Sequence, residues 1–333
     1  MKKIFLTVSI IICLLLTGCG KYSKEDVIDD LSKKIDNVKA YNLTGMMEIM
    51  NNEDSYKYNV NVSYSKEDNF KVSMVNTSNN HEQVILKNAS GVYVLTPSLK
   101  KSFKFQSSWP YNNSQVYLLQ SIMKDLKLDK ESTYEHKDGY YIITNKVSYP
   151  NNKAVVKQMV FIDESLNIKE IQVLDENNKA LIKMVIDNID FKATFDDKYF
   201  ELEHNLEQTS INVEKTITTS TIDDSIYPMY LPTETYLTSK DVINKENGQR
   251  IILTFEGQTP FTIIEETIEQ TEEHLTIPTY GELELLTDTV GIIGEKSVSW
   301  ISNGVEYYVT SAVASKDELV KISKSISVLP VMK

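Results

Sequence analysis

The chain has 333 residues, 35 Lys and Arg against 47 Asp and Glu, and a net charge of −12 at neutral pH. Arg250 is the sole arginine, so an acidic surface without bidentate phosphate binders excludes a nucleic-acid partner. The two cysteines, Cys13 and Cys19, exclude a disulfide framework and a cysteine-based metal site once the first is removed with a leader.

Residues 1–19 read as a targeting segment. Lys2 and Lys3 precede an apolar run from Ile4 to Leu16 that is too short to span a membrane. Leu16-Thr17-Gly18-Cys19 has the bacterial lipobox pattern, in which small residues before a cysteine let its thiol be acylated. A diacylglyceryl group on Cys19 is then expected to anchor the chain to the extracytoplasmic face of the cell membrane, at about 0.8 kcal/mol per buried methylene.

Ser23 followed by Asp26 resembles a capping box, and Val27, Ile28, Leu31, Ile35 and Val38 recur at helical spacing, so Lys24–Val38 is expected to be an amphipathic helix. Strand patterns follow. Tyr56, Tyr58, Val60, Val62 and Tyr64 alternate with polar residues, and Phe70, Val72 and Met74 repeat the pattern. Two strands meet at a turn between Lys87 and Gly91, the second ending at Thr96-Pro97, and Phe103–Phe105 forms a short aromatic strand before Trp109-Pro110. A helix is expected over Ser114–Lys127, capped by Ser114. Its run Val116-Tyr117-Leu118-Leu119 is apolar around the whole first turn, which suits either a plug over a concave sheet or an ordinary core helix. Further strands read at 140–145, 155–162, 168–174 and 181–186, joined at Asp138-Gly139, 163–167 and 175–179. Connections this short imply one antiparallel meander whose apolar face the two helices must cover.

Charge divides the chain. Residues 20–204 carry 24 basic and 27 acidic residues, whereas 205–333 carry nine and 20. That shift and a Thr-rich stretch (216–221) place a linker at 205–227 between a first domain (20–204) and a small acidic α+β domain (228–333). The latter is expected to hold strands at 251–255, 261–265, 283–286, 296–301 and 305–310, an Asn303-Gly304 hairpin, and a final helix capped by Ser315 that buries Leu319, Ile322 and Ile326.

Catalytic constellations are thin. His81, His136, His204 and His274 are scattered, and no nucleophile elbow, phosphate loop or zinc-protease motif occurs. The pairs Asp196-Asp197 and Asp223-Asp224 read as turn flanks. The cluster Glu265, Glu266, Glu269, Glu272 and Glu273 reads as a solvated acidic face, or else as a site for a cation or basic partner. No enzyme, metal or cofactor is expected.

Ile85-Leu86-Lys87-Asn88, Gly91-Val92-Tyr93-Val94-Leu95-Thr96-Pro97, Lys101 to Ser107, Trp109-Pro110, Ser114-Gln115 and Tyr117-Leu118 resemble the YdcC/GerS-type sporulation lipoproteins of the wider LolA/LolB/RseB-like superfamily. Trp300, Asn303-Gly304, Tyr307-Tyr308 and Ser325-Ile326 resemble a small module appended to other Gram-positive membrane-anchored proteins. The resemblance implies a β-rich α+β fold: a curved, unclosed antiparallel half-barrel with helical lids. It also implies a role in spore development or germination. Tyr58, Val60, Val62, Tyr93, Phe103, Phe105, Trp109, Tyr117, Leu118 and Met123 are the candidate lining of a cavity or partner surface in that half-barrel, with plain core packing as the alternative reading of Phe103, Phe105, Trp109 and Tyr117. GerS-type members imply a protein partner such as a cell-wall hydrolase. The alternative is a carrier or envelope sensor for a lipid, acyl chain or lipoprotein. LolA carriers use an arginine in the barrel for lid closure; residues 1–249 here contain none, and an anchored Cys19 disfavours shuttling.

Overall fold

The computed structural model describes residues 22–51, 54–212, 221–222, 226–268, 274–286 and 289–326. The leader, Cys19, Asp223-Asp224, Glu269, Glu272 and Glu273 lie outside them. Helix α1 (Lys24–Asp36) opens on the expected box: Ser23 accepts from the Asp26 N–H and Asp26 accepts from the Ser23 N–H. It is followed by β1 (Ala40–Asn51), β2 (Asp54–Ser65), β3 (Asn69–Asn76), β4 (Glu82–Asn88), β5 (Gly91–Thr96) and β6 (Lys101–Phe105). After α2 (Leu119–Leu128) come β7 (Thr133–Lys137), β8 (Tyr140–Lys146), β9 (Lys157–Asp163), β10 (Ile168–Leu174) and β11 (Ala180–Asp190).

These strands form two meanders rather than the single one expected. β1 pairs antiparallel with both β2 and β11, so the first strand lies in the middle of the sheet, and β6 and β7 lie far apart in it. The reason is the long stretch between β6 and β7, which crosses the sheet instead of turning beside it. The sheet does not close, yet Phe105 of β6 and Tyr141 of β8 belong to one apolar core with α1 and α2. A sheet whose distant strands share a core must curl round it, as the half-barrel reading requires. Lys127 Nζ meets Asp36 Oδ2 at 2.7 Å, tying the two covering helices together.

The helix expected from Ser114 starts five residues later. Residues 113–118 form a buried, non-helical strap, and Ser114 Oγ accepts from the Ser148 N–H (2.9 Å) instead of capping a helix. Helix α3 (Leu202–Asn212) occupies the first part of the stretch expected to be linker. Leu206 packs with Phe200, Val84, Leu86, Tyr93 and Leu95 on the sheet's outer face, which is why the chain stays helical there.

The remainder builds a second sheet from β12 (Thr235–Lys245), β13 (Gly248–Gly257), β14 (Phe261–Thr267), β16 (Glu282–Leu285), β17 (Val290–Ile293), β18 (Ser297–Ser302) and β19 (Val305–Thr310). Asn303 and Gly304 both adopt positive φ, 49° and 79°, as a type I′ hairpin demands. Helix α4 (Lys316–Lys324) begins on the Ser315 capping box and buries Leu319 and Ile322 against this sheet.

One strand leaves its own unit. β15 (Leu275–Thr279) pairs in parallel with β6 and becomes the edge of the first sheet. Ile268, Leu283, Val290, Ile292 and Ile301 enter the first unit's core. Gln83 Oε1 accepts from the Val290 N–H at 2.6 Å and from the Thr289 hydroxyl at 2.8 Å, both buried. Lys101 is held by Glu306 at 3.4 Å across the same junction.

Candidate functional site at the junction of the two units

Most of the half-barrel's concave face is filled by its own chain, although Ile49, Ile85 and Ile182 of its core border an open space. Tyr58, Val60, Val62, Phe103, Phe105, Leu118 and Met123 are all buried in one continuous core with α1 and α2. Tyr93 points the other way, into the outer cluster beneath α3. Trp109 and Tyr117, also part of that core, reach the same space.

That space is a cavity of about 420 Å³ at the junction, within the range of small-ligand and side-chain sites. Trp109, Tyr117 and Tyr149 come from the first unit, and Tyr230, Glu284 and Lys324 from the second. The strap positions the first group. The Gln115 N–H donates to Ser121 Oγ (2.7 Å), its side-chain amide donates to Asn113 Oδ1 (2.5 Å), and its Oε1 accepts from the Tyr117 hydroxyl (2.7 Å). The ring of Tyr117 is thereby fixed without a helix beneath it.

In the second group Glu284 rests on β16, the outer strand of the second sheet, Lys324 on the end of α4, and Tyr230 on the segment that leads into β12. Glu284 Oε1 lies 3.3 Å from Lys324 Nζ, with the carboxylate side chain only 4% exposed. Its other oxygen, Oε2, is buried without a hydrogen-bond partner. Burial raises the carboxyl above its ordinary range, Lys324 opposes the rise and neighbouring Glu282 adds to it. Glu282 in turn accepts from the Asn151 side-chain amide across the junction (2.8 Å). Burial also pushes the Tyr117 and Tyr149 phenols up, so both are neutral donors and apolar walls at physiological pH. At the rim, Lys321 pairs with Asp317 (2.9 Å).

The acidic cluster is not a uniform solvated face. Glu265 is fully buried, accepts from the Ile226 N–H (3.0 Å), and burial raises its carboxyl to about 7. Glu266 is neutralised by Arg250 (2.6 Å) and Lys245. Asp196 accepts the Lys198 N–H in a turn, as expected of a turn flank. Among the described residues no group of three or more His, Cys, Asp or Glu is placed to hold a metal ion, and no helix is long and apolar enough to cross a membrane.

Sequence reasoning missed Glu284, Lys324, Tyr149 and Tyr230. Glu282-Leu283-Glu284-Leu285 alternates, which normally turns both glutamates to water. The docking of the first unit against β16 buries one of them.

No protein-family profile matches the chain. Among solved structures, it is similar to the MucA/MucB complex of Pseudomonas aeruginosa (11% identity, 89% of this chain and 97% of that one, TM-score 0.32). It is also similar to the complex of the CwlD amidase from Clostridioides difficile with the GerS lipoprotein (17% identity, 53% and 98%, TM-score 0.31). By sequence it is 31% identical over 332 residues to sporulation protein YdcC of Bacillus subtilis (strain 168), covering 98% of both chains. A likeness of that extent, end to end, is one of descent: the chain belongs to the YdcC family of sporulation proteins.

Proposed function

We propose that this sporulation-family protein is non-catalytic, that a diacylglyceryl group on Cys19 holds it on the outer face of the membrane, and that it works by holding a protein partner. The observation carrying this reading is where open space lies. Most of the concave face that would cradle an acyl chain is packed with the protein's own side chains, and the space left where it meets the second unit combines aromatic and aliphatic walls with a buried ion pair. Acyl chains gain nothing from a buried carboxylate, because an apolar ligand leaves that charge unsatisfied. A peptide segment, which brings its own donors, suits such a lining. The half-barrel then acts as a rigid wall of the cleft and as the link to the membrane.

The test is affinity purification from sporulating cells followed by mass spectrometry of proteins and lipids. A stoichiometric protein, without lipid beyond the anchor, is the expected result; bound lipid without protein sinks the reading. The anchor is tested separately. Labelled palmitate should enter the wild type and not Cys19→Ala, and equal labelling of both contradicts lipidation at this cysteine.

A further inference from the structure

Glu284 is the feature of the junction that neither folding nor packing explains. An ion pair buried among apolar groups is retained at a cost unless each remaining lone pair finds a donor. Here Lys324 takes one oxygen at 3.3 Å, a long contact, and the other has no partner. Glu282 adds a second negative charge nearby, since it raises the Glu284 carboxyl further. The walls combine aliphatic side chains with the rings of Trp109, Tyr117 and Tyr149, whose faces favour a cation, and the lysines at the edge, Lys179 and Lys321, are balanced by Asp175 and Asp317. The charge of the unit that supplies Glu284 has the same sign: nine basic against 20 acidic residues over 205–333. A carboxylate ligand would be repelled by Glu284 and Glu282, and a neutral alkyl chain would leave Oε2 unsatisfied. A cation on an apolar stem answers the unpartnered oxygen, the ring faces and the apolar walls together, with Lys324 the one neighbour it must approach against like charge.

Resting on the reading that this cleft holds a protein partner, we infer that the occupant is an extended basic segment of that partner, with one lysine inserted so that its ammonium meets the Glu284 carboxylate and its methylenes lie along the rings. Binding of this kind is favoured by the acidic field of the second unit at a distance and by desolvated charge pairing at contact. Lys324 stands on the other oxygen and opposes the rise that burial imposes on this carboxyl, and an incoming ammonium would favour the ionised form further.

Trp109 lines this cavity and Trp300, the other tryptophan, does not, so indole fluorescence reports on occupancy. Purified protein without its leader is titrated with hexylammonium chloride and with sodium hexanoate at constant ionic strength. Saturable change with the amine, at least about tenfold tighter than with the carboxylate, is expected; equal response to both overturns the inference. This comparison uses the wild type, so it stays decisive even if a variant fails to fold. Glu284→Gln, checked by circular dichroism, should remove the preference, and retention of it also overturns the inference. A second arm separates the sources of an ammonium. An acetylated, amidated Ala-Ala-Lys-Ala-Ala peptide is expected to bind more tightly than its norleucine counterpart. If hexylammonium discriminates but the peptides do not, a small amine is the occupant and the segment proposed here is wrong. Failure of the broader reading looks different: the amine and the lysine peptide bind selectively in vitro while no protein co-purifies from cells.

Discussion

The inside of the half-barrel and the cleft beside it are built from the same aromatic and aliphatic residues, yet they have opposite characters. Inside the half-barrel the rings pack on one another and on their own chain: Tyr41, fully buried, donates to Gln120 at 2.8 Å, and Phe70 meets Trp109 edge-on at 5.9 Å between ring centres. In the cleft a buried carboxylate keeps an oxygen without a partner, and the tyrosines beside it face a cavity of about 420 Å³. The difference teaches that apolar content does not separate a core from a site. What separates them is a charged group beside open space: Asp125 Oδ2 in the half-barrel and Glu265 Oε2 in the second unit also lack partners, but neither lines the cavity.

The sharpest break of this comparison is a truncation inside the half-barrel. Leu118 is completely buried where the strap meets α2, so Leu118→Ala should destabilise by about 2–5 kcal/mol in urea unfolding. A loss below about 1 kcal/mol would mean that the concave face is loosely filled. Buried carboxylates give the next largest effect. Glu265 has its folded value raised from 4.5 to about 7, so the native state holds a proton that the unfolded chain has already released. Stability should therefore fall as pH rises from about 4.5 to 7, by up to about 3 kcal/mol. Glu265→Gln still accepts the Ile226 N–H and should flatten that slope; an unchanged slope refutes the assignment. Gln83→Ala comes third. It strands the buried Val290 N–H and should cost about 1–3 kcal/mol, lowering the stability of the second unit along with the first. Independent melting of the two units would show that the junction does not couple them. The smallest effect is expected at the surface, where Glu131→Gln removes an exposed pair with Lys146 (2.9 Å) and should leave the urea midpoint unchanged; a clear shift would show that this pair holds the β7–β8 region.

Much of this architecture was legible in the chain. The capping boxes at Ser23 and Ser315, the Asn303-Gly304 hairpin and the alternating strand of 56–64 are local signals, and local physics decides them. The strap at 113–118 was not legible, because four apolar residues in a row suit a buried helix and a buried crossing equally well, and only the pairing with Ser148 chooses. Strand β15 was missed because Pro278 and exposed residues hide an edge strand whose partner lies 174 positions away (Ser102 with Thr276). The site divides the same way. Trp109 and Tyr117 stand out by their residue types, whereas Glu284 becomes unusual only after the first unit docks against β16 and covers it.

The central claim is that this protein binds at the junction rather than on the far wall of the half-barrel. Tyr230 stands at the lip of the cleft and Tyr140 on β8, with matched exposures of 38% and 37%. A photoreactive benzoylphenylalanine replacing each in turn, irradiated in sporulating cells, compares the two places at equal accessibility. The account predicts a discrete protein adduct from Tyr230 and none from Tyr140. An adduct from Tyr140 alone, or lipid in place of protein at Tyr230, would contradict it.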